Sequence, residues 1–92
     1  MERGFKASEG IGRRSRLDII ADILDASNSR VKKTHLMYKC SMSFTQMKRY
    51  LDVILKANLL EIENDGLNTL FRISRKGRSF LESYERLKAL IE

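Results

Sequence analysis

Basic side chains are concentrated in a stretch of the chain that contains no carboxylate. No aspartate or glutamate occurs from Ala26 to Leu51. The bases in that stretch are Arg30, Lys32, Lys33, Lys39, Lys48 and Arg49. Their charge equals the net charge of the whole 92-residue chain, which is +6. Segregated positive charge of this kind indicates a polyanionic partner, so the chemistry that these residues favour is phosphate binding.

Residues that could support catalysis or hold a metal are few. His35 is the single histidine and Cys40 the single cysteine, so the sequence predicts neither a His/Cys metal site nor an intrachain disulfide. We find no nucleophile–base pair, no carboxylates paired in an apolar setting and no phosphate-cradling glycine loop. We therefore expect no enzyme activity, no metal and no cofactor.

Two helices joined by a short turn must position the bases. The segment from Lys33 to Ala57 reads as a short apolar helix, the turn Ser-Met-Ser and a longer amphipathic helix. Ser43 and Gln46 have the spacing of a capping box at the start of the longer helix. Its predicted buried face comprises Phe44, Met47, Leu51, Ile54 and Leu55. A helix, a tight turn and a helix with a Lys/Arg/Gln/Thr front form a helix-turn-helix pattern, although two amphipathic helices also occur in any small bundle.

The flanking segments favour a specific form of that motif. A first helix is predicted from Ser15, whose spacing to Asp18 matches a capping box, to about Ala26. Thr34 is a candidate N-cap for the second helix, and residues 31–33 could form a very short strand. After the third helix, Asn58 can adopt the left-handed conformation that ends a helix.

A β-hairpin is predicted directly after the third helix. Residues 59–63 and 67–73 alternate as strands do, and Asp65-Gly66 is a strong hairpin-turn signal. Three helices followed by a hairpin make a winged helix-turn-helix, an α+β and mostly helical fold in which the hairpin is the wing.

A last helix is predicted from Arg75 to about Ile91, with Ser74 as its N-cap. Its apolar residues follow spacings of three and four, which is typical of a coiled-coil seam. The predicted dimer-interface residues are Phe80, Tyr84, Leu87, Leu90 and Ile91. The alternative is a helix that covers the core of its own chain. The predicted organisation is thus a flexible basic arm (1–14), for which a disordered tail is the alternative, a winged helix-turn-helix domain (15–74) and a C-terminal dimerisation helix (75–92).

A known family matches these features. The run VKKTHLMYKCSMSFTQMKRYLDVILKANLLEI and the segment FRISRKGRSFLESYERL resemble small archaeal winged-helix proteins, namely the ten-kilodalton a-type DNA-binding proteins of Sulfolobus and related predicted transcriptional regulators. The resemblance covers roughly residues 15–92. It implies double-stranded DNA as ligand and a homodimer held by paired C-terminal helices. Two features depart from the family: the C-terminal helix is short for a long coiled coil, and Asn58 stands where relatives often have glycine.

The candidate DNA-binding residues follow from the motif. The third helix would enter the major groove, the second would contact the backbone, and bases at the wing would contact the backbone from the other side. These residues are Lys32, Lys33, Lys39, Ser43, Thr45, Gln46, Lys48, Arg49, Arg72, Arg75 and Lys76. Tyr50 is left unassigned because it could pack in the core.

Other classes of function fit the sequence less well. A winged-helix protein-interaction module is the main alternative, and the polar front of the third helix argues against it. RNA binding usually requires exposed aromatic rings, whereas the aromatics here lie in apolar stripes. The sequence has no apolar run long enough for a membrane span and no signal peptide, so we expect a cytoplasmic, nucleoid-associated protein.

Overall fold

The computed structural model describes residues 15–92, and the predicted arm lies outside them. The elements in chain order are α1 (Arg16–Ala26), β1 (Val31–Lys32), α2 (Lys33–Cys40), α3 (Phe44–Lys56), β2 (Leu60–Asp65), β3 (Asn68–Ile73) and α4 (Arg75–Ile91). This order and the helical majority confirm the predicted winged helix-turn-helix architecture. No helix within the described part of the chain is long and apolar enough to cross a membrane.

Local side-chain caps fix where α1 and α3 begin. The Ser15 hydroxyl accepts from the Asp18 N–H at 3.1 Å, and the Asp18 carboxylate accepts from the Ser15 N–H at 3.1 Å. Ser43 and Gln46 make the same reciprocal pair at 3.2 and 3.3 Å. These bonds confirm both predicted capping boxes. Each box satisfies backbone donors that a helix start leaves without intrahelical partners.

The start of α2 differs from the prediction. Thr34 is inside the helix, not at its N-cap, since α2 begins at Lys33. Lys32 occupies the N-cap position in an extended conformation, and no side chain caps this end. Pairing of β1 with β3 explains the shift, because Val31 lies opposite Phe71 and Lys32 opposite Leu70, which holds the chain extended up to the first helical residue.

The wing is an antiparallel hairpin of β2 and β3 in a three-stranded sheet of order β1-β3-β2. Asp65 lies opposite Asn68, so two residues form the turn, and Gly66 has a φ of 62°. Asn58 adopts a φ of 62°, which confirms its predicted role after α3. The base of the hairpin is buried through Leu60, Phe71 and Ile73, whereas its outer half is exposed.

The core lies between the helices and the inner face of the sheet. Its largest fully buried apolar side chains are Ile23, Leu24, Leu36, Met47 and Ile54. Cys40 is also buried. The placement of Phe44 in the buried face of α3 is wrong, since its side chain is 54% exposed. The first turn of α3 extends beyond the elements that cover the rest of that face.

Helix α4 is attached closely to the end of α3 and the start of β2. The Ser74 hydroxyl donates to the Asn58 carbonyl at 2.7 Å and accepts from the Gly77 N–H at 3.0 Å, which confirms Ser74 as the cap. A Cβ at Gly77 would lie 2.2 Å from the Leu59 carbonyl oxygen and 2.8 Å from Ile73 Cγ1. Only glycine allows this approach, so it sets how closely α4 packs on the sheet.

Candidate nucleic-acid interface

The outward face of α3 is polar, basic and exposed. Thr45, Gln46, Lys48 and Arg49 all lie on the surface, whereas Met47 between them is fully buried. Among residues 15–92, neither Lys48 nor Arg49 forms an ion pair with a carboxylate. The Gln46 side-chain oxygen is occupied by the cap on Ser43, which leaves its NH₂ group as a donor. The predicted α3 residues are therefore together and accessible, with Ser43 at the helix start beside them.

A basic groove lies on the other side of α2. It has a volume of about 640 Å³ and runs between the end of α1, strand β1 and the outer face of α2. Its lining residues are Ala26, Ser29, Arg30, Val31, Lys32, Thr34, His35, Tyr38, Lys39 and Leu70. No carboxylate is among them, and the N-terminal N–H groups of α2, which no side chain caps, open at the same place. The groove is suited to a phosphate-bearing ligand.

The groove contains residues that the sequence reasoning missed. Tyr38 is not among the predicted DNA-binding residues, yet it is 86% exposed. Thr34 and His35 join it on the outer face of the helix. Their spacing provides a signal, because Thr34 and Tyr38 are one helical turn apart and lie opposite the buried residues Leu36 and Cys40.

Lys33 connects the first turns of α2 and α3. Its Nζ lies 4.2 Å from the centroid of the Phe44 ring, and its residue is half-buried. This places the ammonium group beside the starts of both helices. We call a set of polar and basic residues on β1, on α2, in the turn and in the first half of α3 the α2–α3 surface; it comprises Lys32, Lys33, Thr34, His35, Tyr38, Lys39, Ser43, Thr45, Gln46, Lys48 and Arg49.

The wing differs from the α2–α3 surface because its basic residue, Arg72, is ion-paired. Arg72 lies opposite Glu61 in the strand register, and its guanidinium is 3.5 Å from the Glu61 carboxylate and 3.1 Å from that of Glu63. Glu63 is also 3.5 Å from the Arg30 guanidinium. Arg72, a predicted DNA-binding residue, is thus ion-paired with carboxylates of its own hairpin.

The remaining predicted bases are at the start of α4. Arg75 and Lys76 are exposed. In the described part of the chain, no hydrogen bond or ion pair joins either of them to α2 or α3. The structure therefore leaves them outside the α2–α3 surface.

The predicted dimer residues divide into two groups along α4. Phe80 packs against the core, and the Tyr84 hydroxyl donates a hydrogen bond to the Asp18 carboxylate of α1. The last turns lack this support, because Leu87, Leu90 and Ile91 are 64%, 80% and 85% exposed. The first part of the seam therefore covers the chain's own core, and only its end offers an uncovered apolar face.

The contact between α1 and α4 shifts the ionisation of both partners. The hydrogen bond from Tyr84, together with those from Ser15, lowers the pKa of Asp18. Burial raises the pKa of Tyr84, and the hydrogen bond to the Asp18 carboxylate raises it further. Both shifts keep Asp18 ionised and Tyr84 protonated near neutral pH, which is the pair of states that the hydrogen bond requires.

Comparison with known proteins identifies the family. A family model described as winged helix-turn-helix matches residues 13–92. The chain belongs to the winged helix-turn-helix family. A comparison with curated protein sequences gives no match.

Three solved structures of this winged helix-turn-helix fold are similar to the chain. Sso10a-2, a DNA-binding protein from Sulfolobus solfataricus, superposes with a TM-score of 0.76 at 22% identity, covering 84% of this chain and 81% of that one. The transcriptional regulator BldR from the same organism gives 0.68 at 20% identity, with 79% and 56% covered. A winged-helix DNA-binding protein of the virus STIV gives 0.66 at 18% identity, with 82% and 90% covered.

Proposed function

We propose that this winged helix-turn-helix protein binds double-stranded DNA, as a transcriptional regulator or a chromatin-type binder, and is not an enzyme. The observation that carries the proposal is the α2–α3 surface, where the bases form no ion pair with a carboxylate among residues 15–92. Such bases release the counterions of DNA when they meet phosphates, and that release drives association. The similar Sulfolobus and viral proteins are DNA-binding proteins, which supports the same conclusion.

The arrangement of the surface suggests how a duplex would bind. Helix α3 would enter the major groove, where Thr45, Gln46 and Arg49 have the donors and acceptors that read base edges. Lys32 and Lys39 would contact the adjacent backbone through the groove beside α2. These assignments add the Tyr38 hydroxyl and the other polar residues of the groove to the predicted backbone contacts.

The wing would contribute differently from the prediction. Since Arg72 is engaged by Glu61 and Glu63, the donor that the wing would offer nearest its turn is the Asn68 side-chain amide, which lies opposite the acidic residue Asp65. Arg75 and Lys76 would reach only phosphates that lie beyond the α2–α3 surface.

The end of α4 supports a homodimer. Leu87, Leu90 and Ile91 form an apolar face that the described part of the chain leaves uncovered. Burying such a face against a second copy is favourable, at about 25 cal/mol for each Å² of apolar surface removed from water. A dimer would present two α3 helices, and the DNA half-sites would be spaced accordingly. We propose a nucleoid-associated location for the assembly.

The test of DNA binding is a fluorescence-anisotropy titration with mixed-sequence duplex DNA across a salt series, with single-stranded DNA and RNA alongside. We expect preferential duplex binding whose affinity falls steeply with salt. A chain that binds none of the three at low salt would be a protein-interaction module instead. Equal binding to all three would contradict the proposal that α3 enters the major groove.

The dimer has an independent test. Leu87→Glu should give a monomer in sedimentation equilibrium, because a carboxylate in an apolar seam is costly to desolvate. It should also weaken duplex binding by removing the second α3. Val53→Glu is the matched control for the molecular mass alone, since Val53 is 53% exposed and lies on α3, outside the seam. An unchanged mass for Leu87→Glu would show that the seam does not hold a dimer.

A further inference from the structure

Phe44 is an aromatic residue with no place in the core. It is the first residue of α3, and its side chain is 54% exposed although the residues that follow it on the same side are buried. The ring takes no part in capping α3, because the capping box is formed by Ser43 and Gln46. The contacts of the Phe44 ring therefore indicate its role.

The ring supports the ammonium group of Lys33. The Nζ lies 4.2 Å from the ring centroid, within the range of a cation–π contact. Lys33 is the first residue of α2, so the contact spans the two helices of the motif.

Fixing a lysine before a ligand arrives changes what binding costs. A free lysine side chain carries about 2 kcal/mol of rotamer entropy, part of which is lost when its ammonium is held by a phosphate. A ring that already restrains the ammonium removes some of that loss. The charge stays available, because a cation–π contact leaves the ammonium's N–H donors free to bind an anion.

We propose that Phe44 is a positioning residue for DNA binding, which holds Lys33 so that its ammonium meets a backbone phosphate beside the starts of α2 and α3. The inference rests on the proposed function and adds to it a residue that touches the DNA-binding base. A simple structural role for Phe44 would instead act on folding and would be independent of Lys33.

A double-mutant cycle on duplex affinity distinguishes these roles. Phe44→Leu keeps an apolar side chain and removes the ring face, and it should weaken binding about 2- to 5-fold, the range that an exposed cation–π contact supports. Lys33→Met should weaken binding and lower the salt slope by about 0.9, the value for one phosphate contact. In the Lys33→Met background, Phe44→Leu should have no further effect. Phe44→Tyr should bind like the unmodified chain.

A second lysine–aromatic pair supplies the matched control. Lys88 Nζ lies 5.8 Å from the Tyr84 ring centroid on α4, outside the α2–α3 surface. Lys88→Met should leave duplex affinity and salt slope unchanged.

Two results would overturn the proposal. One is an unchanged duplex affinity for Phe44→Leu. The other is a loss of affinity from Phe44→Leu that is equal in the unmodified chain and in the Lys33→Met background. Failure of the proposed function would be separate, because the unmodified chain would then bind no duplex. Thermal unfolding of each variant shows whether any loss arises from folding.

Discussion

The α2–α3 surface and the wing both carry bases, but among residues 15–92 only the base of the wing is ion-paired with carboxylates. Lys48 and Arg49 lie on α3 with no ion pair among residues 15–92. The single base of the wing, Arg72, lies within 3.5 Å of two glutamates. The wing strands and turn contain three acids, Glu61, Glu63 and Asp65. A base count along the sequence therefore overestimates what the wing can give to DNA, because a paired arginine has to leave its carboxylates first.

The largest effect should come from reversing a free base on α3. Arg49→Glu should lower duplex affinity at least about tenfold, since one good base contact supports roughly 1–3 kcal/mol and the new carboxylate repels phosphate. The fold should persist, because Arg49 is on the solvent face. Anisotropy and circular dichroism measure the two quantities.

Arg86→Glu is the control for that reversal, because it makes the same charge change on the exposed surface of α4. If both variants lose affinity equally, net charge and not the position of Arg49 would govern binding. If Arg49→Glu unfolds the chain, the orientation of α3 would be wrong.

A smaller effect of opposite sign should follow from freeing the wing. Replacing Glu61 and Glu63 with glutamine removes the carboxylates that hold Arg72 and Arg30. Duplex affinity should rise about 3- to 10-fold, and the salt slope should steepen by about 0.9 for each base that reaches a phosphate. Glu82→Gln with Glu85→Gln changes the net charge equally on α4 and should change affinity less.

Arg72→Ala tests whether the ion-paired arginine of the wing contributes to DNA binding. It should change duplex affinity less than twofold and cost about 0.5 kcal/mol of stability, as expected for exposed ion pairs. A tenfold loss of affinity would mean that Arg72 leaves its glutamates when DNA binds, and the contrast between the two regions would disappear.

The smallest effect on binding is expected for the contact between α1 and α4, which should act on stability alone. Tyr84→Phe removes the hydrogen bond to the Asp18 carboxylate and should cost about 1–2 kcal/mol of unfolding free energy at neutral pH. Tyr38→Phe is the control, because Tyr38 is 86% exposed. Urea unfolding of both variants measures the difference.

The same contact predicts a pH dependence. The pKa of Asp18 is lower in the folded chain, so its contribution to stability is present above the ordinary carboxyl pKa of about 3.9 and is lost as the pH falls through the lowered value. The pKa of Tyr84 is higher in the folded chain, so its contribution is present below about pH 10 and is lost at more alkaline pH. Tyr84→Phe should flatten both limbs of the profile. Limbs unchanged by the substitution would assign them to other groups.

The sequence predicted the features that depend on neighbours within a few residues. The capping boxes at Ser15 and Ser43, the left-handed Asn58 and the hairpin turn at Gly66 are all confirmed. Each is determined by hydrogen bonds or backbone preferences that span only three or four positions, so no knowledge of packing is needed.

The errors concern contacts made across the fold. The exposure of Phe44 depends on which elements cover the first turn of α3, and the true start of α2 depends on the pairing of β1 with β3. The pairing of Arg72 with Glu61 was accessible in principle, because a two-residue turn after Asp65 fixes the register of the strands. The roles of the surface residues in DNA binding stay predictions.

The close approach at Gly77 also determines where the far end of the molecule lies. Fourteen residues of helix separate Gly77 from Ile91, a lever of roughly 21 Å at about 1.5 Å per residue, so a tilt of about 5° at the glycine moves the tip by ~2 Å. A methyl group at position 77 would strike the Leu59 carbonyl and force such a tilt. In a dimer joined at the ends of two α4 helices, the lack of a Cβ at position 77 therefore helps to set the distance between the two α3 helices.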